Sequence, residues 1–427
     1  MINFAYTAPP IEVVTEPLVL AQNLPSQHDT SQVQDPLVSE LEAPPETSSP
    51  RAVAPSLSNR VEDLEAQVSD LEANQVSPTL TLSGEAIFGI SGVVGQEVDE
   101  ATAFQSSIEL VFEASFTGED QLEIAIESGS APEFRFNDEI TPEGELGFLT
   151  DTDEDLFEFS ELAYEFPISD RATVYISTTG DDLEDFNPIL GDSATGALSE
   201  FGSENPIHSL VEDVGIQFNY DLTEDLNLGL GYFSEGANDP EIGLFGGNYG
   251  AFAQLAFEPS DDLLLGLTYV HTYNDSSLET DTGSFRSQVD LDRPVVGNSY
   301  GLAGSWAPND RLAIGGWVGY TNARVLNLGD AYILNYALTL AFPDLGQADN
   351  LLGVIIGQEP RLIGTSGFTI DGRRQDPDTS FHIEAFYRHQ VNEYLSITPG
   401  VIWLTAPNHN RENSDIVLFT VRSAFEF

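Results

Sequence analysis

Cysteine and lysine are both absent from the 427 residues, and methionine occurs once. The first absence excludes disulfides and thiolate metal sites, and it suits a chain that folds outside the cytoplasm without oxidative help. The second leaves arginine as the only basic type. No Walker, Schiff-base or kinase-type lysine can exist, so several large enzyme classes fall away. No run approaches the roughly 20 apolar residues of a spanning helix. A membrane β-barrel passes that filter unseen, because its strands alternate lipid-facing apolar residues with lumen-facing polar ones. Positive charge is scarce: 14 basic residues stand against 71 acidic ones, a formal net charge of -57. Binding of nucleic acid or anionic lipid by a basic patch is excluded, and cations or water are favoured as partners. The acidity has two readings. Carboxylates can keep a surface hydrated in salt, or they can crowd a pore and favour cations.

Chemical signatures are missing as well. Asp151, Asp153 and Asp155 imitate the first ligands of a calcium loop, but Leu156 stands where glycine is required and Leu162 where glutamate closes the site. The six histidines are dispersed without metal-ligand spacing, and neither a G-x-S-x-G elbow nor a dinucleotide fingerprint occurs. The expectation is a protein that is not an enzyme and holds no cofactor or metal.

Changes of pattern divide the chain into three. Residues 1–55 carry Pro9, Pro10, Pro17, Pro25, Pro36, Pro44, Pro45, Pro50 and Pro55 among acids and hydroxyls, a composition that buries no core and reads as a disordered tail. No export signal is legible at its start. Over residues 56–77, Leu57, Val61, Leu64, Val68 and Leu71 are spaced four, three, four, three with acids between them, the seam of a short coiled coil. So short a seam needs support from association elsewhere. A single amphipathic helix packed on its own domain is the other reading.

From residue 78 to 427 the period is two. Ile108, Leu110 and Phe112 alternate with Glu109, Val111 and Glu113, and Leu122, Ile124 and Ile126 with Glu123, Ala125 and Glu127, giving one oily and one wet face. Tight polar connections at 117–120, 169–170, 223–225, 260–262, 309–310 and 392–393 alternate with long ones at 129–155, 179–210, 274–295 and 364–379. This is the pattern of an all-β fold, a transmembrane antiparallel β-barrel of about sixteen strands with its long loops outside the cell. In the last strand Val417, Phe419, Val421, Phe425 and Phe427 share one face, and the chain ends on the aromatic. A long exposed edge of this kind is an aggregation hazard that barrel closure removes. An ordinary edge strand that happens to end a chain is the alternative.

These residues resemble a family. The segment NRVEDLEAQVSDLEAN (59–74), followed by LSGEAIF (82–88), ALSEFGSENPIH (197–208) and TPGVIWLTAPNH (398–409), is similar to cyanobacterial outer-membrane porins of the iron uptake or OprB-like carbohydrate-selective kind. The likeness runs from about residue 57 to 427. It implies a water-filled channel for ions, inorganic iron among them, and for small hydrophilic solutes such as sugars. A homotrimer in outer-membrane lipid is implied too. The terminal pattern Phe419, Phe425, Phe427 looks like the signal read by the barrel assembly machinery. Family members carry an S-layer-homology domain ahead of the coiled coil, and none is legible here. They also tend to carry arginine where this chain has Glu200 or Glu204. A barrel that links membrane to periplasm without transport is the alternative function.

Counting strands makes 179–210 the connection between the fifth and sixth, the third long loop, which folds into the lumen in many porins. Its charged residues Asp181, Asp182, Glu184, Asp185, Asp192, Glu200 and Glu204 are all acidic, so a constriction there favours cations. Arg286, Arg293, Arg361, Arg373 and Arg374, read as lying in other long connections, are candidates for an opposing positive wall. The other reading is a hydrated cap outside the pore.

Overall fold

The period-two stretch folds into strands that pair side by side around a closed circle. The computed structural model describes residues 79–95, 98, 101–131, 135–136, 139–140, 143–148, 150, 152, 157–178, 183, 188–211 and 214–427. The proline-rich tail and the seam residues Leu57, Val61, Leu64, Val68 and Leu71 lie outside these. The strands are β1 (Thr79–Val94), β2 (Ala103–Ser115), β3 (Gln121–Ser130), β4 (Arg135–Phe136), β5 (Glu139–Ile140), β6 (Glu158–Ser169), β7 (Ala172–Ser177), β8 (Val214–Asp221) and β9 (Leu226–Ser234). They continue as β10 (Tyr249–Ser260), β11 (Leu263–Asn274), β12 (Val295–Asn309), β13 (Leu312–Val325), β14 (Gly329–Pro343), β15 (Leu351–Ser366), β16 (His382–Asn392), β17 (Leu395–Leu404) and β18 (Ile416–Glu426). Sixteen of them close into one antiparallel barrel, while β4 and β5 pair only with each other. The strand number matches the sequence reading.

Closure runs through the chain end. β1 pairs with β2 on one side and β18 on the other, with Ile87 opposite both Ser107 and Ala424. Gly84 and Phe427 exchange both backbone hydrogen bonds, at 2.9 and 3.0 Å, so the last residue is part of the seam and no free edge is left. On the outside, Phe88 stacks on Phe104 and meets Phe425 edge-on, stitching β18, β1 and β2 together.

The two faces are inverted relative to a water-soluble protein. Leu80, Phe104, Leu267, Leu302 and Phe425 are exposed on the outer surface, whereas Ser91, Gln254, Thr268, Ser299, Thr339 and Thr420 are buried inside. Apolar surface left in water costs about 25 cal/mol per Å². The outer wall is therefore matched to hydrocarbon.

Two connections depart from the short-and-long alternation. Residues 326–328 make an outer turn of three residues, with Asn327 at φ 60°, a left-handed conformation that asparagine tolerates. Residues 344–350 join β14 to β15 at the opposite end by a longer link. The expected connection at 364–379 starts later than its turn residues suggested, because β15 continues through Ser366. Arg361, expected in a long connection, lies within β15.

Candidate functional site

The connection between β7 and β8 turns into the barrel and is held there by shape, hydrogen bonds and charge. Its described part contains a 3-10 turn, Gly191–Ser193, and one helical turn, Glu200–Ser203, started by Ser199, whose hydroxyl accepts from the Gly202 N–H at 3.1 Å. Ile189, Leu190, Leu198 and Phe201 are buried in one cluster with Trp317, Ile355, Phe386 and Ile402 of the wall. The Phe201 and Trp317 rings meet edge-on at 5.4 Å. Glycines on the inner wall make room: a Cβ on Gly400 would come within 2.2 Å of Leu198 Cδ1, and one on Gly315 within 1.9 Å of Ser193 Oγ.

Glu384, fully buried on β16, is the polar anchor. Its carboxylate accepts from the Leu198 N–H at 2.6 Å, the Ser199 N–H at 3.3 Å and the Ser199 hydroxyl at 2.5 Å. Arg422 on β18 donates to the Gly196 carbonyl at 3.2 Å, with its guanidinium over the Phe148 ring. The connection 131–157 adds a second layer, with Gly147 N–H bonded to Leu198 O at 3.0 Å and Glu200 N–H to Glu145 O at 3.2 Å.

Behind the anchor lies a buried polar network. His382 places Nδ1 2.7 Å from Glu359 and Nε2 3.4 Å from Glu384. The register of β14 against β15 slips where Glu359 sits, a bulge that re-aims a side chain. Ser199 Oγ lies 3.3 Å from His382 Nε2, which gives Ser199, His382 and Glu359 the order of a hydrolase triad. The hydroxyl is nevertheless committed to Glu384 and the Gly202 N–H, and all three residues are buried. It works as a tie that fixes the start of the helical turn to the wall.

Loop carboxyls and a histidine complete the network. Burial, with Glu359 close by, holds the Glu143 carboxyl well above the usual range while Asn408 N–H bonds to it. Burial also raises Asp376, against the bonds it receives from Ser284, Leu362 N–H and Arg286. His409 Nδ1 accepts from the Ser380 N–H at 2.7 Å, which leaves Nε2 to donate to the Glu359 carbonyl at 3.2 Å. Burial first, and then Arg361, push the imidazole down to about 4.

A second stretch of the inner wall, from β18 to β6, is acidic. Glu426, Glu85, Glu109, Glu127 and Glu158 are direct cross-strand neighbours in succession on β18, β1, β2, β3 and β6. Glu113 faces Glu123 in a second row. All point inward, opposite to the exposed Phe104 and Phe425, and remain partly or fully accessible. Two charges about 5 Å apart repel by roughly 1 kcal/mol in water and about 3 kcal/mol at an effective dielectric of 20. Such rows persist where water and counter-ions reach them.

A family model described as carbohydrate-selective porin, OprB family, matches residues 56–427. The chain belongs to the OprB family. It is 34% identical over 413 residues to the uncharacterized protein alr4550 of Nostoc sp., covering 87% of this chain and 69% of that one. It is 30% identical over 408 residues to the uncharacterized protein sll0772 of Synechocystis sp., covering 87% and 73%. In fold, this OprB-family barrel is similar to OprB of Pseudomonas putida (TM-score 0.54, 11% identity, 86% of this chain and 97% of that one). A second similar fold is an anion-selective porin from Comamonas acidovorans (TM-score 0.51, 12% identity, 82% and 100%). The protein resides in the outer membrane.

The residues expected to matter in this porin fall in several places. Asp181, Asp182, Glu184 and Asp185 lie outside the described residues, and Asp192 is placed only by its backbone in the 3-10 turn. Glu200 opens the helical turn against Gly147, and Glu204 is buried with its carboxylate 3.5 Å from His208. Arg286 is tied to Asp376 and Asp371. Arg361, in β15, donates to the Asp376 carbonyl. Arg293, Arg373 and Arg374 are exposed on outer connections. Phe419, Phe425 and Phe427 are exposed on the outer wall. Sequence reasoning missed Glu384, His382 and Glu359, which look like any other lumen-facing polar residue until the inner loop is docked on them.

Proposed function

We propose that this barrel is a passive diffusion channel for cations and small hydrophilic solutes, sugars among them, and that the path runs between the docked inner loop and the glutamate arc. The observation that carries this reading is the row Glu426, Glu85, Glu109, Glu127, Glu158, five partly or fully accessible carboxylates in direct cross-strand register on the inner wall. Arg422 and Arg388 face Glu85 at one end of the row, mobile cations relieve the repulsion along the rest, and low-dielectric walls concentrate the field on whatever passes. Inorganic iron fits the same path as a charged cargo. The inner-loop acids Asp181, Asp182, Glu184, Asp185, Asp192, Glu200 and Glu204 add to the field in this proposal. Self-association as a trimer and insertion by the barrel assembly machinery belong to it as well.

Reconstitution into planar bilayers tests the reading. Stepwise conductance with a reversal potential of cation-selective sign in a salt gradient is expected, together with sugar-dependent swelling of proteoliposomes. Absence of any channel at saturating protein would instead favour a barrel that links membrane to periplasm without transport.

A further inference from the structure

The outer connection 235–248, between β9 and β10, does not fold inward. Tyr232, on the outward face of β9 with the exposed Leu230, donates its hydroxyl hydrogen bond to the Leu244 carbonyl at 2.9 Å. Its ring lies 5.7 Å from that of Phe245. The loop is thereby pinned against the outside of the wall. Internal bonds keep it compact: Gly243 N–H bonds to Asp239 O at 2.7 Å, Glu241 N–H to the Asp239 carboxylate at 2.7 Å, and Glu235 N–H to Asn248 O at 3.1 Å. Yet Phe245 is 80% exposed, and Leu244 and Ile242 are exposed beside it.

Three neighbouring apolar side chains at a loop tip mark an interaction surface. Their position says with what. Tyr232 stacks on Tyr249, and Tyr249 on Tyr273, at 5.6 and 6.1 Å. These are outward tyrosines at the outer ends of their strands, where membrane barrels carry an aromatic girdle at the level of the lipid headgroups. Phe245 continues that girdle. We infer that Ile242, Leu244 and Phe245 form a finger that dips into the boundary between headgroups and acyl chains of the outer leaflet, anchoring the rim of the barrel in lipid. Asp239 and Glu241, in the same loop and exposed, stay in the headgroup water. Against a second copy of the chain, the same acids would face an equally acidic partner, and like charges would repel.

Because the chain lacks cysteine, a single introduced thiol can carry a spin label. Phe245→Cys, Ile242→Cys and, as a water-exposed control, Asn238→Cys are labelled in the full chain reconstituted in bilayers. Collision rates with oxygen, which partitions into lipid, and with a water-soluble nickel chelate then report depth. Labels at 245 and 242 should favour oxygen over nickel several-fold more than the label at 238. Nickel access at both tip positions equal to that at 238 would overturn the inference, as would exclusion of both reagents together with dipolar broadening between labels, which would put the tip between copies.

Discussion

Replacing Glu384 by alanine removes the polar anchor of the inner loop while leaving the wall intact. The Leu198 and Ser199 N–H groups and the Ser199 hydroxyl lose their common acceptor. Two buried backbone donors left unpaired cost about 1–3 kcal/mol each. The seat is therefore weakened by roughly 3 kcal/mol, about a hundredfold in the ratio of seated to unseated loop. Leu198 and Phe201 still bury their side chains on the wall, and each contributes about 2 kcal/mol toward keeping the loop in place. The loop should consequently leave its seat on the wall intermittently and cross the open path without staying there. In single-channel recordings Glu384→Ala should show lower mean conductance and much greater open-channel noise than the parent. Glu384→Gln, which keeps one acceptor oxygen, should fall between them. Conductance and noise identical to the parent, in samples whose barrel is folded as judged by heat-modifiable migration, would refute the anchoring role.

Changing Glu109 and Glu127 together to Gln removes two adjacent charges from the five-residue row and should reduce cation preference, read as a smaller reversal potential at low salt. No change would mean that this arc does not line the path. Deleting Phe427, which exchanges backbone bonds with Gly84, should block membrane assembly without affecting export, and a normal protease-resistant barrel in cells would count against it. The depressed His409 value sets a pH dependence: unfolded imidazole takes a proton below about 6.5, whereas the folded group resists until about 4. Stability fully present at neutral pH should thus be lost as pH falls between those values, by about 3 kcal/mol for 2.5 units. Thermal unfolding in detergent at pH 7.5 and 5 should show this slope and His409→Gln should flatten it, while equal slopes would contradict the reasoning. Native mass in mild detergent should correspond to three chains, and a monomer would remove the trimer from the proposal.

Much of the molecule was legible before any coordinates. A period-two pattern follows from strand geometry alone, and the solvents on the two sides of a membrane wall impose opposite polarities on successive residues. Ile108 and Glu109 therefore declared their faces, the strand number could be counted, and the terminal Phe427 announced closure. The position of the inner loop after the fifth strand also followed from counting. What the loop docks on did not follow. Leu198 and Glu384 are 186 positions apart, and no local spacing links them. The bulge that turns Glu359 toward His382 arises from a register slip between β14 and β15. The row of five glutamates exists only once every register from β18 to β6 is set, because a slip of one residue moves a side chain to the other face. Local chemistry determined which residues meet water and which meet lipid. The meeting of particular carboxylates, with each other or with a loop, was decided by long-range strand register and by the shape of the space left inside the closed wall.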